Sequence, residues 1–283
     1  MLSYLHSYHA GNFADVLKHT TLVHALDYFT QKPNPTFYLD THSGPGMYTL
    51  ADEEAQKNCE YKNGIAKLWN ETDLPEAITR YKEVIEACNA LEGSKTDLQL
   101  YPGSPWISAH LLREYDRLSL CELHPREQQT LIQNFKSDRR IKIFPKDGFQ
   151  TAIGALPPKE RRGLVLIDPP YEIKQDYERV VEVLIASHKR FATGSYAIWY
   201  PVVKREQIER MLRAIKNSGI RNIQVFELGL QADTVERGMT SSGMIWINPP
   251  WTLWKEMQLT LPYLAQKLGG KQGVYKIQQL VAE

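Results

Sequence analysis

The run Gly163-Leu164-Val165-Leu166-Ile167 ends abruptly in Asp168-Pro169-Pro170-Tyr171, and no other stretch limits the fold as tightly. An unbroken apolar run reads as a strand buried on both faces, the pattern of a parallel sheet covered by helices. The two prolines cannot donate to a ladder, so the strand stops there, and their rings stiffen the backbone that follows. Asp168 is thereby held at the carboxyl edge of a sheet, where open α/β folds bind ligands. Pro169 keeps a carbonyl acceptor, and Tyr171 offers a flat ring just beyond.

A fixed carboxylate, a fixed carbonyl and a stacking ring suit the gripping of a planar nucleobase by its exocyclic amine. The lone pair of an adenine N6 is delocalised into the ring and is a poor nucleophile. Two acceptors on its two hydrogens pull the nitrogen toward a tetrahedral state, a matter of positioning and of electrostatics on developing charge. A plain strand-to-loop turn with a buried tyrosine uses the same four residues, so the rest of the chain has to decide.

The chain of 283 residues is 42% hydrophobic, which allows one domain with an insertion or two domains. Its 34 basic and 33 acidic side chains leave a net charge of +1, so nucleic-acid binding would rest on a local patch. Mean hydropathy is −0.42, and no apolar run approaches the roughly 20 residues of a membrane span. Met1-Leu2-Ser3-Tyr4-Leu5-His6 lacks the charged-then-apolar form of a signal peptide. Cys59, Cys88 and Cys121 form no CxxC pair and no zinc pattern; they read as reduced, structural thiols of a cytosolic protein.

In chain order, Tyr4, His6, Tyr8 and His9 make an aromatic tail, either packed on the surface or acting as a flap over a base or cofactor. Asn12 can cap a helix with Asp15 at its third position. Val16, Val23 and Leu26 give that helix an apolar stripe, and Asn12, Asp15, Lys18 and His19 share the other face. Pro33-Asn34-Pro35 breaks it, and Phe37-Tyr38-Leu39 reads as a short buried strand leading into Asp40-Thr41-His42-Ser43-Gly44-Pro45-Gly46. This loop is not GxGxxG, but its small residues let backbone approach a ligand.

Residues 52–98 are charged and helical in period, with Asp73 near a cap, and form the inserted helical subdomain; 1–51 and 99–283 make the main domain. Ser104 fits a helix cap and Pro105 the first helical position. Arg117 to Glu122 and Ile141 to Phe144 read as strands, the latter followed by Asp147-Gly148. Beyond Asp168 come a helix from about 176 to 190, a strand at Ser195–Tyr200, another helix, and the strands Asn222–Leu228 and Gly243–Ile247, which close the ordered pattern. This alternation predicts a right-handed α/β sheet. Asp40, Glu122, Asp147 and Asp168 end successive strands, which predicts one cleft.

The order Asp40…Gly44-Pro45-Gly46, Glu122, Asp147-Gly148, Asp168-Pro169-Pro170-Tyr171 resembles an S-adenosylmethionine-dependent amino-methyltransferase. With Leu2-Ser3-Tyr4, His9-Ala10-Gly11-Asn12, Ala14-Asp15-Val16-Leu17-Lys18-His19, Tyr101-Pro102-Gly103-Ser104-Pro105, Gly238-Met239-Thr240 and Asn248-Pro249-Pro250-Trp251, the chain resembles the RlmJ family, bacterial 23S ribosomal RNA adenine-N6 methyltransferases. The resemblance implies a Rossmann-like class I methyltransferase sheet of seven strands, the last antiparallel, with a small helical insertion. It implies S-adenosylmethionine contacts at His19, His42, Ser104, Glu122, Asp147 and Gly148. Catalysis would fall to Asp168, with the Pro169 carbonyl and a stacking Tyr171. Tyr4 would lie near the target adenine, and Lys18 is read as neutralising phosphate, as are Lys204 and Arg205 on the surface. The partner would be 23S ribosomal RNA before full subunit assembly, bound by a cytoplasmic monomer without metal. A DNA amino-methyltransferase and a non-catalytic nucleotide-binding module are the competing readings; duplex binding and the effect of Asp168→Ala separate them.

Overall fold

The carboxyl ends of three neighbouring strands meet in the computed structural model, which describes residues 5–234 and 238–283. The chain runs through α1 (Phe13–Thr30), β1 (Phe37–Asp40) and β2 (Met47–Thr49), then α2 (Glu53–Asn58), α3 (Ala66–Trp69) and α4 (Glu76–Asn89). It continues with β3 (Leu100–Pro102), α5 (Ser104–Leu111), β4 (Arg117–Cys121), α6 (Pro125–Phe135), β5 (Ile141–Phe144), α7 (Gly148–Ala155) and β6 (Gly163–Ile167). The last part holds α8 (Gln175–Arg190), β7 (Ser195–Val202), α9 (Arg205–Lys216), β8 (Ile223–Gly229), β9 (Ser241–Ile247), α10 (Leu253–Gly269) and β10 (Val274–Val281).

Eight strands form one sheet in the order β10-β8-β9-β7-β6-β1-β4-β5. The five from β5 to β7 are parallel, while β9 and β10 run antiparallel to their neighbours. This is the expected Rossmann-like methyltransferase sheet with one strand more than expected, because β10 adds to the edge beside β8. From β1 the chain winds outward through β4 and β5, then returns to β6 on the other side. That reversal opens a crevice at the carboxyl ends of β1, β4 and β6, the place where open α/β sheets bind ligands.

Strand periodicity splits the core into two layers. Leu164 and Leu166 of β6 pack with α1, α4 and α10 residues, while Val165 and Ile167 pack with α7, α8 and α9 residues. All five β6 residues are buried, as its unbroken apolar sequence demands. α1 is capped as expected, with Asn12 Oδ1 accepting from Asp15 N. Its polar face is not solvated, however: Asp15, Lys18 and His19 are as buried as Val16 and Leu17, because α4, α5 and the sheet enclose the helix.

Two further expectations are corrected. Gly103 caps α5, and Ser104 sits inside its first turn, because the Ser104 hydroxyl donates to Asp40 Oδ2 at 2.6 Å instead. α4 starts where Asp73 near a cap placed it, with Pro75 at the cap itself, and the free Ala77 N–H finds Glu256 of α10 at 3.0 Å. The ordered pattern does not close at Ile247, since α10 and β10 follow. The helices of 52–98 lie between β2 and β3, which pair antiparallel, and their Ile65, Leu68, Ile78 and Tyr81 share the core of α1.

The end of β1 and the start of α7 touch backbone to backbone. A Cβ on Gly148 would lie 1.8 Å from the Thr41 carbonyl oxygen, a clash that only a main-chain shift can relieve. Gly148→Ala is expected to cost about 1–3 kcal/mol, read as a lower urea midpoint at unchanged slope. An unchanged midpoint would contradict this close approach.

Candidate active site

A cavity of about 550 Å³ opens over the strand ends, within the usual size of small-molecule sites, roughly 300–1,000 Å³. Its wall carries His19, His42, Ser104, Glu122, Asp147, Gly148, Asp168, Pro169 and Tyr171, so residues far apart in the sequence converge as expected. Tyr4 lies outside the described residues.

Asp40, the fourth strand-end acid, is not on this wall. It is fully buried behind it, accepting from the Tyr38 hydroxyl at 3.1 Å, Ser104 Oγ at 2.6 Å and His42 N at 3.2 Å. Burial pushes its carboxyl up to about 6 against those donors. Asp40 thus braces the loop that follows β1.

At the β4 end, Glu122 Oε2 accepts from Gly44 N and Oε1 from His124 N, both at 2.7 Å. Burial raises the Glu122 carboxyl despite these donors. Its lone pairs toward the cavity suit a pair of hydroxyl donors such as a ribose diol. At the β5 end, Asp147 caps α7 by accepting from Phe149 N at 2.9 Å, and it pairs with Arg179 of α8. Burial alone would raise Asp147, but the hydrogen bond and charge of Arg179 outweigh it and hold the carboxyl below its usual value. The exposed apolar side chains of Leu123 and Ile173 stand at the same rim.

At the β6 end, the Asp-Pro-Pro turn leaves Tyr171 in the left-handed region at φ +52°, a cost on the order of 1 kcal/mol for a residue with a Cβ. The Tyr171 hydroxyl offsets it by donating to the Trp199 carbonyl at 2.7 Å, and the ring packs on Tyr177 at 4.5 Å. The ring is fixed as part of the cavity wall.

Lys18 takes a different place from the one expected. Its ammonium is buried, 2.7 Å from Asp168 Oδ2 and 2.9 Å from Asp15 Oδ1, and 5.7 Å from the Trp199 ring centroid. A cation enclosed by two carboxylates is not available to a surface phosphate. Burial alone would lower it, but the charges of Asp15 and Asp168 hold the ammonium well above the usual lysine value. Asp15 in turn accepts from His6 Nε2 at 2.9 Å and from Gly11 N at 2.9 Å. Arg205 is likewise committed, to Glu227 at 2.8 Å and Asp233 at 2.6 Å. Sequence reasoning missed Asp15, Arg179 and Trp199 as parts of this site. The i,i+3 spacing of Asp15 and Lys18 was the one available signal for the first.

His19 is 1% exposed, with Nδ1 2.8 Å from the Tyr101 hydroxyl, which meets the Tyr81 hydroxyl at 2.7 Å. Burial lowers its imidazole to about 3, and lowers His42 to about 4. Both walls are therefore neutral at physiological pH.

The residues fit S-adenosylmethionine on the structure's own terms. Carboxylates face the cavity where a diol and an amine would donate. The buried Ser43 hydroxyl on the loop after β1 has no hydrogen-bond partner among the described residues, so a ligand there would satisfy it. Among the described residues no group of three His, Cys, Asp or Glu could hold a metal ion, and no helix is long and apolar enough to cross a membrane.

A family model described as ribosomal RNA large subunit methyltransferase D, RlmJ, matches residues 33–281. The chain is 53% identical to ribosomal RNA large subunit methyltransferase J of Haemophilus influenzae, across 95% of this chain and 94% of that one. It is 49% identical to the Escherichia coli protein of the same name, with the same coverage. A crystal structure of a Legionella pneumophila protein, 39% identical, superposes with a TM-score of 0.88 over 96% of this chain and 98% of that chain.

Because folded His19 resists protonation, unfolding takes up a proton there as pH falls below the ordinary histidine value of 6.5. Its contribution to stability is present above that pH and declines toward about 3. The stability difference between the parent and His19→Gln should therefore shrink by about 2 kcal/mol from pH 7 to pH 5, measured by urea unfolding. A difference independent of pH would contradict the neutral, buried imidazole.

Proposed function

Because the chain belongs to the RlmJ family of ribosomal RNA large subunit methyltransferases, we propose that it methylates the exocyclic N6 of an adenine in 23S ribosomal RNA. The observation that carries this reading is the meeting of Asp168, Pro169 and Tyr171 with Glu122 and Asp147 around one cavity. S-adenosylmethionine, when bound, supplies an electrophilic methyl group on a positively charged sulfur. Glu122 holds ribose hydroxyls, and Asp147 and Gly148 face the adenine of the donor. Ser104, His19 and His42 line the remainder of its site.

The chain's own residues prepare the acceptor. Lys18 occupies Asp168 Oδ2, which holds the carboxylate in place and leaves Oδ1 for the amine. Asp168 and the Pro169 carbonyl each accept one amino hydrogen, and the lone pair leaves conjugation with the ring. Tyr171, fixed by the Trp199 carbonyl, gives the base a face to stack on. The amine sheds one proton as it gains the methyl group, and Asp168 is the carboxylate beside it. The target base has to leave its stack to enter such a pocket, which favours 23S ribosomal RNA that is not yet fully assembled. Tyr4, on the tail that leads to His6 and Asp15, is read as a contact to that base. A cytoplasmic monomer remains the reading of its state.

The test is transfer of labelled methyl from S-adenosylmethionine to protein-free 23S ribosomal RNA, with duplex DNA alongside, followed by nucleoside analysis. N6-methyladenosine in the RNA alone is expected; label in DNA alone, or on another nucleoside, would overturn the reading. Asp168→Ala should slow transfer by about 100-fold or more while calorimetry finds cofactor affinity within a few-fold of the parent. Equal loss of both would remove Asp168 from its role.

A further inference from the structure

One buried acid of the cavity has no part in the site so far. Glu127 lies in the first turn of α6, where its backbone N–H meets the capping His124 Nδ1 at 3.5 Å. It is 6% exposed, its side chain lines the cavity, and its Oε2 is buried without a hydrogen-bond partner among the described residues. A buried carboxylate oxygen with no donor costs on the order of 1–3 kcal/mol. Burial, reinforced by the charge of Glu122, pushes the Glu127 carboxyl up to about 7. The neighbouring Arg126 opposes this only by its charge, since its guanidinium bonds Glu54 at 2.7 Å instead.

The position tells which donor is missing. α6 lies over the loop after β1, with Asn134 Nδ2 donating to the Pro45 carbonyl at 2.8 Å. Glu122 stands between that loop and Asp147, since β4 lies between β1 and β5. Both oxygens of Glu122 already accept a backbone N–H, so Glu122 shares its remaining capacity between two structural bonds and any diol. A second acceptor on the same wall completes the grip on a diol, and a donor shared by two acids also relieves their repulsion.

We infer that Glu127 is a further cofactor-binding residue, whose Oε2 accepts from a ribose hydroxyl of the nucleoside methyl donor alongside Glu122. The inference rests on the cofactor reading above and adds a specificity for the ribose that Glu122 alone does not account for.

The experiment is isothermal titration calorimetry of the full chain with S-adenosylhomocysteine and with its 2′-deoxy and 3′-deoxy analogues. The parent is expected to bind one deoxy analogue about 3- to 10-fold more weakly than the parent ligand on account of this contact. Glu127→Ala should bind S-adenosylhomocysteine weaker by a similar factor and lose that discrimination. Glu127→Gln, which keeps an acceptor and the volume, should stay within about 3-fold of the parent. Discrimination is a ratio within one variant, so a general loss of folded protein does not imitate it. Equal weakening toward all three ligands by Glu127→Ala would mark a packing role and overturn the inference, as would unchanged binding. No binding by the parent protein would overturn the cofactor reading itself, and this one with it.

Discussion

The ion pair between Lys18 and Asp168 is the contact on which the rest of the site depends. It joins the first helix to the end of the central strand across 150 residues of sequence. Removing an ammonium and two carboxylates from water costs several kcal/mol per ion, repaid only where geometry is close and other donors complete the shell. Here the shell is complete on the far side: Asp15 accepts from Lys18, His6 and Gly11 N. Lys18 also lies near the Trp199 face, a favourable place for a cation. Such an arrangement adds little net stability, but it fixes the orientation of the Asp168 carboxylate.

The sheet supplies the other half of the geometry. The reversal of winding at β1 opens the crevice, and the strand ends at β4, β5 and β6 each deliver one acid to it. Each acid is held by backbone donors or by a cation before any ligand arrives: Glu122 by Gly44 and His124, Asp147 by Phe149 and Arg179, Asp168 by Lys18. Acceptors that are already oriented need not reorganise when charge develops, which is the source of most electrostatic advantage in such pockets. The neutral His19 and His42 add no positive charge to the cavity wall.

Much of this was legible in the sequence because it is written in local signals. An apolar run ending in Asp168-Pro169-Pro170 announces a buried parallel strand and a stopped edge, and Asn12 announces a helix start. What was not legible depends on contacts between distant segments. Lys18 looked like a surface cation because a three- and four-residue period shows a polar face but not what covers it. The cover is α4, α5 and the sheet. Asp40 looked like its fellow strand-end acids, yet Ser104, a hydroxyl brought from 64 residues on, turns it into a buried brace. α10 and β10 were missed although Val274 to Val281 has the half-exposed pattern of an edge strand. Glu127 sits in a charged helix turn, and only its burial against the cavity distinguishes it.

The most direct measurement is the single-turnover rate of methyl transfer to 23S ribosomal RNA by Lys18→Met, taken at saturating S-adenosylmethionine on protein whose cofactor affinity has been measured in the same preparation. Loss of the ammonium leaves Asp168 without the partner that orients it. The account predicts a rate lower by about 100-fold or more with cofactor affinity within a few-fold of the parent. A parental rate would contradict it, and Asp168 would then act without the ion pair on which the site is argued to depend.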